Sequence, residues 1–354
     1  MVCLAVLAAG LESSALAKPF THSASRVMRP APAPAAPQYI RDQITQLGRG
    51  FDGRVGIAIQ SIDEGWKVGW KANEFYPQQS VSKLWVSITA LDAADKGRIR
   101  LDQPVSLTSE DLTVFHQPIR DLIVPTGSYN TTLDDLMVRA ITTSDNTAND
   151  KLMRSVGGPS AVRRMITEKH LGAIRFANGE RDLQSRIAGI SWSPAYSFGN
   201  AFFEARDALP MNIRQAAFDR YVSNPYDGAK PSAIVNALAR LKRGELLSAA
   251  STQRLLTIMS ETHTGPNRLK GGLEPGWTLN HKTGTGQVLG SEQAGYNDIG
   301  ILSAPDGKSY AVAVMIKLTS TPLPVRMTLM NNVVRALIAQ HQLLGATPSS
   351  PTSK

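Results

Sequence analysis

The run Asp298-Ile299-Gly300-Ile301-Leu302-Ser303-Ala304-Pro305-Asp306-Gly307-Lys308-Ser309-Tyr310-Ala311-Val312-Ala313-Val314-Met315-Ile316-Lys317-Leu318 decides the fold. Two apolar stretches flank Ala304-Pro305-Asp306-Gly307-Lys308, whose proline and Asp-Gly pair favour a tight reversal, so the pattern predicts a β-hairpin. Beyond it, Leu329, Val333, Leu337 and Ile338 place an apolar face on a closing helix. The start of the folded body has matching elements: Ile40, Ile44 and Leu47 have helical spacing, Val55, Ile57 and Ile59 alternate, and Gly65-Trp66-Lys67-Val68-Gly69-Trp70 reads as a second strand. Between these ends, residues 84–96, 132–142, 146–156 and 233–242 carry helical patterns. Strands at both ends and helices in the middle predict an α/β protein of the α+β type. Its antiparallel sheet is made from both chain ends and flanked by the terminal helices, with an all-helical lobe inserted between the halves. The sheet lobe is expected over about residues 38–75 and 263–344 and the helical lobe over about 76–262. A cleft between lobes is the default place for a site.

Composition narrows the chemistry. The 354 residues are 42% hydrophobic and 19% charged, which excludes bulk disorder and coiled coil. Lys and Arg number 38 against 29 acidic residues, and this net charge of +9 is scattered, pointing to anionic small molecules or cell surfaces and not to a nucleic-acid groove. The single cysteine, Cys3, lies in an apolar leader, so the body has no disulfide or thiol chemistry. The six histidines lack ligand spacing, and no metal or organic cofactor is expected. Serine, threonine, lysine or carboxylate must act.

The ends read as processing and spacer segments. Residues 1–17 are read as a signal peptide: the apolar run is too short to span a bilayer, and Ala15-Leu16-Ala17 before Lys18 suits cleavage. Residues 18–37 form a Pro/Ala-rich linker and residues 345–354 a Ser/Thr/Pro tail. The expectation is a periplasmic or secreted monomer with no membrane span after signal removal and no nucleic-acid partner.

Three motifs follow in order: Ser80-Val81-Ser82-Lys83, Ser144-Asp145-Asn146 and Lys282-Thr283-Gly284. The first is common by composition, whereas each triplet is expected in only about one chain in twenty of this length. Ser80 and Lys83 sit three apart at a helix start, on one face, so the serine has a base within reach. A lysine serves as that base only when burial or neighbouring cations leave it neutral. Ser80 at a helix N-terminus also turns its backbone N–H toward a reacting carbonyl. Blander readings exist: Ser144-Asp145-Asn146 suits a helix cap, and residues 282–285 suit an edge strand with a protective lysine.

Taken together the motifs resemble those of class A serine β-lactamases over nearly the whole body, and the PER-type branch most of all. The branch likeness rests on Gln79-Ser80-Val81, Thr264-Gly265-Pro266-Asn267-Arg268-Leu269-Lys270-Gly271 and His281-Lys282-Thr283-Gly284-Thr285. The resemblance implies the serine β-lactamase/penicillin-binding fold with a five-stranded antiparallel sheet. It implies a β-lactam substrate and Ser80 as the acylated nucleophile, with Lys83 as its general base. Ser144 is the implied relay of a proton to the departing nitrogen, and Asn146 the holder of the substrate amide. Lys282, Thr283 and Thr285 bind the substrate carboxylate in the Lys282-Thr283-Gly284-Thr285 stretch, Arg268 adds a cation, and the Thr285 N–H completes the oxyanion hole.

Release of the acyl group requires a carboxylate that activates water. The family's Ω-loop glutamate maps onto Glu180, and Gln184 stands where an asparagine is common, one methylene longer. Glu180 lacks the following proline of many relatives, and residues 185–228 are expected to hold an insertion. Its Trp192, Tyr196, Phe198, Phe202 and Phe203 suit an added lid or a contact with another surface. Asp182 and Glu204 are rival carboxylates. His116 falls where the family places an aromatic gatekeeper. The rival functions are a D,D-peptidase or esterase of the same fold and a penicillin-binding sensor that is acylated without turnover.

Overall fold

A computed structural model describes residues 34–345, with Val2 and Ala5 in addition. The expected signal peptide, linker residues 18–33 and the tail beyond Gly345 lie outside the described residues. The strands are β1 (Arg54–Ser61), β2 (Lys67–Trp70), β3 (Pro104–Thr108), β4 (Ser128–Thr132), β5 (Thr278–Thr285), β6 (Val288–Leu289), β7 (Glu292–Ser303) and β8 (Ser309–Thr319). The helices are α1 (Gln38–Gly50), α2 (Lys83–Asp95), α3 (Arg120–Ile123), α4 (Leu133–Thr142), α5 (Asn146–Ser155) and α6 (Gly158–Glu168), followed by α7 (Glu180–Ala188), α8 (Ala201–Asp207), α9 (Met211–Ser223), α10 (Pro231–Lys242), α11 (Ala249–Ser260) and α12 (Leu323–Gly345). The main sheet runs β2-β1-β8-β7-β5, and the expected five strands gain the two-residue β6, which pairs with β7. All these pairings are antiparallel, and β1 meets β8 with Ala58 opposite Ala313.

Alternation of side chains sorts the central strands between two cores. On β8, Tyr310, Val312, Val314 and Ile316 join Ile57 and Ile59 of β1 against α1 and α12. Ala311, Ala313 and Met315 face the other way, into the core of the helical lobe. Both faces of the sheet are covered, so its strands read as nearly unbroken apolar runs. At the centre of the lobe lies α2, in which every residue from Lys83 to Ala93 is buried. It is buried all round because other helices surround it.

One expectation is corrected. The inserted lobe is not all helical: β3 and β4 pair as a separate two-stranded sheet within it. Their Ser- and Thr-rich sequences are short and half exposed, and lack the apolar alternation that marks a strand. Residues 185–228, read above as holding an insertion, begin within α7 and then build α8 and α9. Phe218, Tyr221 and Val222 of α9 pack on Leu183 and Ile187 of α7 and on Ala294 of β7. Trp192, Tyr196 and Phe202 form edge-to-face pairs over Val114 and Ala188, while Phe198 and Phe203 remain largely exposed. Among the described residues no helix is long and apolar enough to cross a membrane.

Leu238 of α10 is buried where that helix covers the sheet. Leu238→Ala is expected to lower unfolding free energy by about 2–5 kcal/mol, measured by urea denaturation, because the site cannot fully collapse around the void.

Candidate active site

Ser80 lies in a 3-10 turn, Gln79–Ser82, that leads into α2. The tighter winding eclipses positions three apart, and the Lys83 ammonium donates to Ser80 Oγ at 2.7 Å. Gln79 is held at φ 53°, a left-handed conformation that costs an L-residue about 1–2 kcal/mol. Its surroundings enforce it. Gln79 N donates to Asp227 Oδ2 at 2.6 Å, and Gln79 Nε2 donates to the Tyr221 hydroxyl. Gln78 Nε2 donates to the Arg175 carbonyl at 2.9 Å and to the Asp227 carbonyl. Asp227 thus braces the backbone that presents Ser80. Burial raises its pKa to about 6.

The second motif divides its work. Asp145 turns away from the cleft and caps α5, accepting from Ala148 N at 2.9 Å and from Ile119 N at 2.7 Å. Ser144, at φ 63°, and Asn146 face inward. Asn146 Oδ1 accepts from Lys83 at 2.6 Å while its Nδ2 donates to the Val114 carbonyl at 2.8 Å. Lys83 also donates to the Ser144 carbonyl at 3.1 Å.

Strand β5 brings the third motif. Lys282 Nζ donates to Ser144 Oγ at 2.9 Å and to the Thr283 carbonyl at 3.0 Å. Burial, then the cations of Lys83 and Arg268, push its pKa well below the usual lysine value. Gly284 is required by close approach, since a Cβ there would sit 2.3 Å from the Gln78 carbonyl. Only a bare backbone lets β5 lie so near the Ser80 turn. Arg268 donates to the Gly284 and Asn297 carbonyls at 3.0 and 2.7 Å and to Thr285 Oγ1 at 2.6 Å, with its guanidinium 3.8 Å above the Tyr296 ring. It fastens the end of β5 and brings its charge to the cleft.

Glu180 opens α7. The preceding Gly179 is at φ 102°, and a Cβ on it would meet Met153 Cε at 2.8 Å. Glu180 N donates to the Asp150 carboxylate at 3.0 Å, and burial together with the Glu180 charge raises the Asp150 pKa to about 6. Glu180 Oε1 lies 3.1 Å from Lys83 Nζ, and Oε2 accepts from Gln184 Nε2 at 3.1 Å.

Ser80, Ser144, Asn146, Glu180, Gln184, Arg268, Thr283 and Thr285 all line one cleft of about 360 Å³, with the buried Lys83 and Lys282 behind it. His116 lines its mouth, with Nε2 2.7 Å from the Thr143 carbonyl oxygen. The rivals Asp182 and Glu204 do not line the cleft. Asp182 instead pairs with Arg186 at 3.6 Å. Sequence reasoning missed Phe115 and Thr264 in the wall and Asp150 and Asp227 behind it. Thr264 opens a stretch quoted above and Phe115 adjoins His116, but Asp227 carried no local signal.

A serine hydroxyl set against a lysine, with a second lysine and a carboxylate in the same cleft, defines a serine acyl-transfer hydrolase. A family model for the beta-lactamase enzyme family matches residues 39–341, and the chain belongs to that family. It is a class A serine β-lactamase. The extended-spectrum β-lactamase PER-1 of Pseudomonas aeruginosa is 28% identical over 280 residues, covering 78% of this chain and 79% of that protein. Among solved structures, the TLA-1 extended-spectrum β-lactamase superposes with a TM-score of 0.71 at 25% identity, over 85% of this chain and 98% of that one. An ancestral class A β-lactamase gives a TM-score of 0.68 at 26% identity, over 85% and 99%.

The Asp227 carboxyl gives a pH-dependent readout. Its pKa is about 6 in the folded chain against 3.8 ordinarily, so between these values only the folded state holds the proton. Its stabilising share is full below pH 3.8 and is lost as pH rises through about 6. Asp227→Asn removes this titration. The stability of wild type relative to the variant, from denaturant midpoints, is expected to decline from pH 4 to about 6 and level off above; a difference constant with pH contradicts the assignment.

Proposed function

We propose that this β-lactamase opens its substrate through a Ser80 acyl-enzyme that Glu180 then clears. The observation that carries the reading is the placement of Lys83 Nζ, 2.7 Å from Ser80 Oγ and 3.1 Å from Glu180 Oε1. Lys83 passes a proton to Glu180, becomes neutral and accepts the Ser80 hydroxyl proton as Oγ attacks the lactam carbonyl. The N–H groups of Ser80 and Thr285 receive the oxyanion. Losing one such donor typically costs about a hundredfold to a thousandfold in turnover. Ser144, bonded to Lys282 and within 3.4 Å of Lys83, relays the proton to the departing nitrogen. The Glu180 proton then returns to Lys83.

For deacylation, Glu180 and Gln184 hold a water beside the ester, and the Glu180 carboxylate accepts its proton as the oxygen attacks. Lys282, Thr283 and Arg268 bind the substrate carboxylate, and Asn146 binds the side-chain amide. The Glu180–Gln184 pair favours turnover over a sensor that stays acylated. The leader's cleavage pattern supports export to the periplasm or outside the cell, where the reaction would protect cell-wall synthesis and confer antibiotic resistance.

Purified enzyme is expected to hydrolyse a chromogenic cephalosporin. Glu180→Ala is expected to slow acylation but to impair deacylation more, so that a covalent adduct on Ser80 still accumulates by intact-protein mass spectrometry, with turnover falling about a hundredfold or more. Unchanged turnover places the base elsewhere. Ser80→Ala is expected to give no adduct.

A further inference from the structure

Past Gln184 and Thr285, beside the cleft, lies a second chamber of about 560 Å³. Gln184, Thr285 and Phe115 line both hollows, so the two adjoin. One wall is the inserted segment, through Phe203, Arg206 and Arg214, and the other is the stretch from Gly286 to Gly290 that follows β5 and contains β6.

The charge in this chamber is one-sided. Arg206 and Arg214 line it, their side chains only 17% and 15% exposed, and no carboxylate is among the lining residues. Both guanidinium groups share one acceptor behind the wall, Asp207 Oδ1, at 3.1 Å each. Two cations against one partly exposed carboxylate leave a net positive charge on that wall. A carboxylate matches that charge, because the guanidinium edge offers donors in a fixed fork.

In the binding mode proposed above, with the nuclear carboxylate at Lys282, Thr283 and Arg268 and the amide at Asn146, the shared lining residues Gln184 and Thr285 leave the acylamino substituent a route toward the chamber. We propose that the chamber formed by Arg206, Arg214 and the stretch after β5 is a subsite for an anionic group at the far end of that substituent. β-Lactams with carboxylate-terminated side chains are therefore preferred substrates. This deepens the serine β-lactamase reading and rests on it.

The test uses the full enzyme and two cephalosporins with one nucleus, one bearing a glutaryl amide and the other its uncharged carboxamide-terminated counterpart. Wild type is expected to favour the glutaryl compound in kcat/KM by roughly three- to tenfold, an advantage that shrinks with added salt. Arg214→Gln is expected to bring the ratio near unity, and Asp207→Asn, which removes the competing carboxylate, to raise it. A wild-type ratio near unity that ignores salt overturns the subsite, whether or not the variants fold. Failure of wild type to hydrolyse either compound or a chromogenic cephalosporin overturns the lactamase reading instead.

Discussion

The Lys83 ammonium is fully buried, and the arrangement of the cleft follows from the need to satisfy it. Taking such a charge out of water costs several kcal/mol even after relaxation, and only near-ideal partners offset it. Those partners come from four places in the chain: Ser80 one turn back, the Ser144 carbonyl, the Asn146 side chain and the Glu180 carboxylate. Each is at hydrogen-bonding distance, so one cation fixes Ser80, Ser144, Asn146 and Glu180 relative to one another. Backbone strain collects around the same point, with Gln79, Phe115 and Ser144 all in left-handed conformations. Such conformations persist only where surrounding contacts over-determine them.

The two lobes meet across a glycine. Gly284 lets the edge of β5 approach the Gln78 carbonyl, and Asn297 of β7 reinforces the join by donating to the Pro77 and Gln78 carbonyls at 2.8 and 3.0 Å. The Ser80 turn is thereby fastened to the sheet, although its helix belongs to the other core. Lys282 stands behind this seam and reaches Ser144, which ties the sheet to the α4–α5 turn. The inserted α8 and α9 leave this frame intact and extend it, through Phe202 and Phe203 packed on Phe115 at ring-centroid distances of 4.8 and 5.7 Å.

What was legible in the sequence was local. The reversal at residues 304–308 and the alternation on either side are decided by neighbouring residues, and the hairpin of β7 and β8 follows from them. The spacing of Ser80 and Lys83 is equally local, needing only a helical turn to bring the side chains together. The pair β3–β4 escaped notice because its strands are joined by contacts across twenty-odd residues and lack apolar alternation. Asp227 was invisible for a related reason: its importance lies in holding Gln79 N from about 150 residues away. Glu180 was found by family likeness, and no pattern of its own marked it, since its seat on Asp150 is a tertiary contact.

The sheet topology imposes an order on synthesis and folding. Strand β1 lies beside β8, and their paired residues are about 250 positions apart in the chain. A nascent polypeptide therefore carries Val55, Ile57 and Ile59 without their β8 neighbours until about 250 further residues have been synthesised. Contacts of such separation are slow to form, because loop closure must come before any reward. The intervening lobe can gather its helices earlier, around α2. Completion of the sheet thus waits on β8, and a chain cut short before that strand leaves hydrophobic β1 exposed to aggregation.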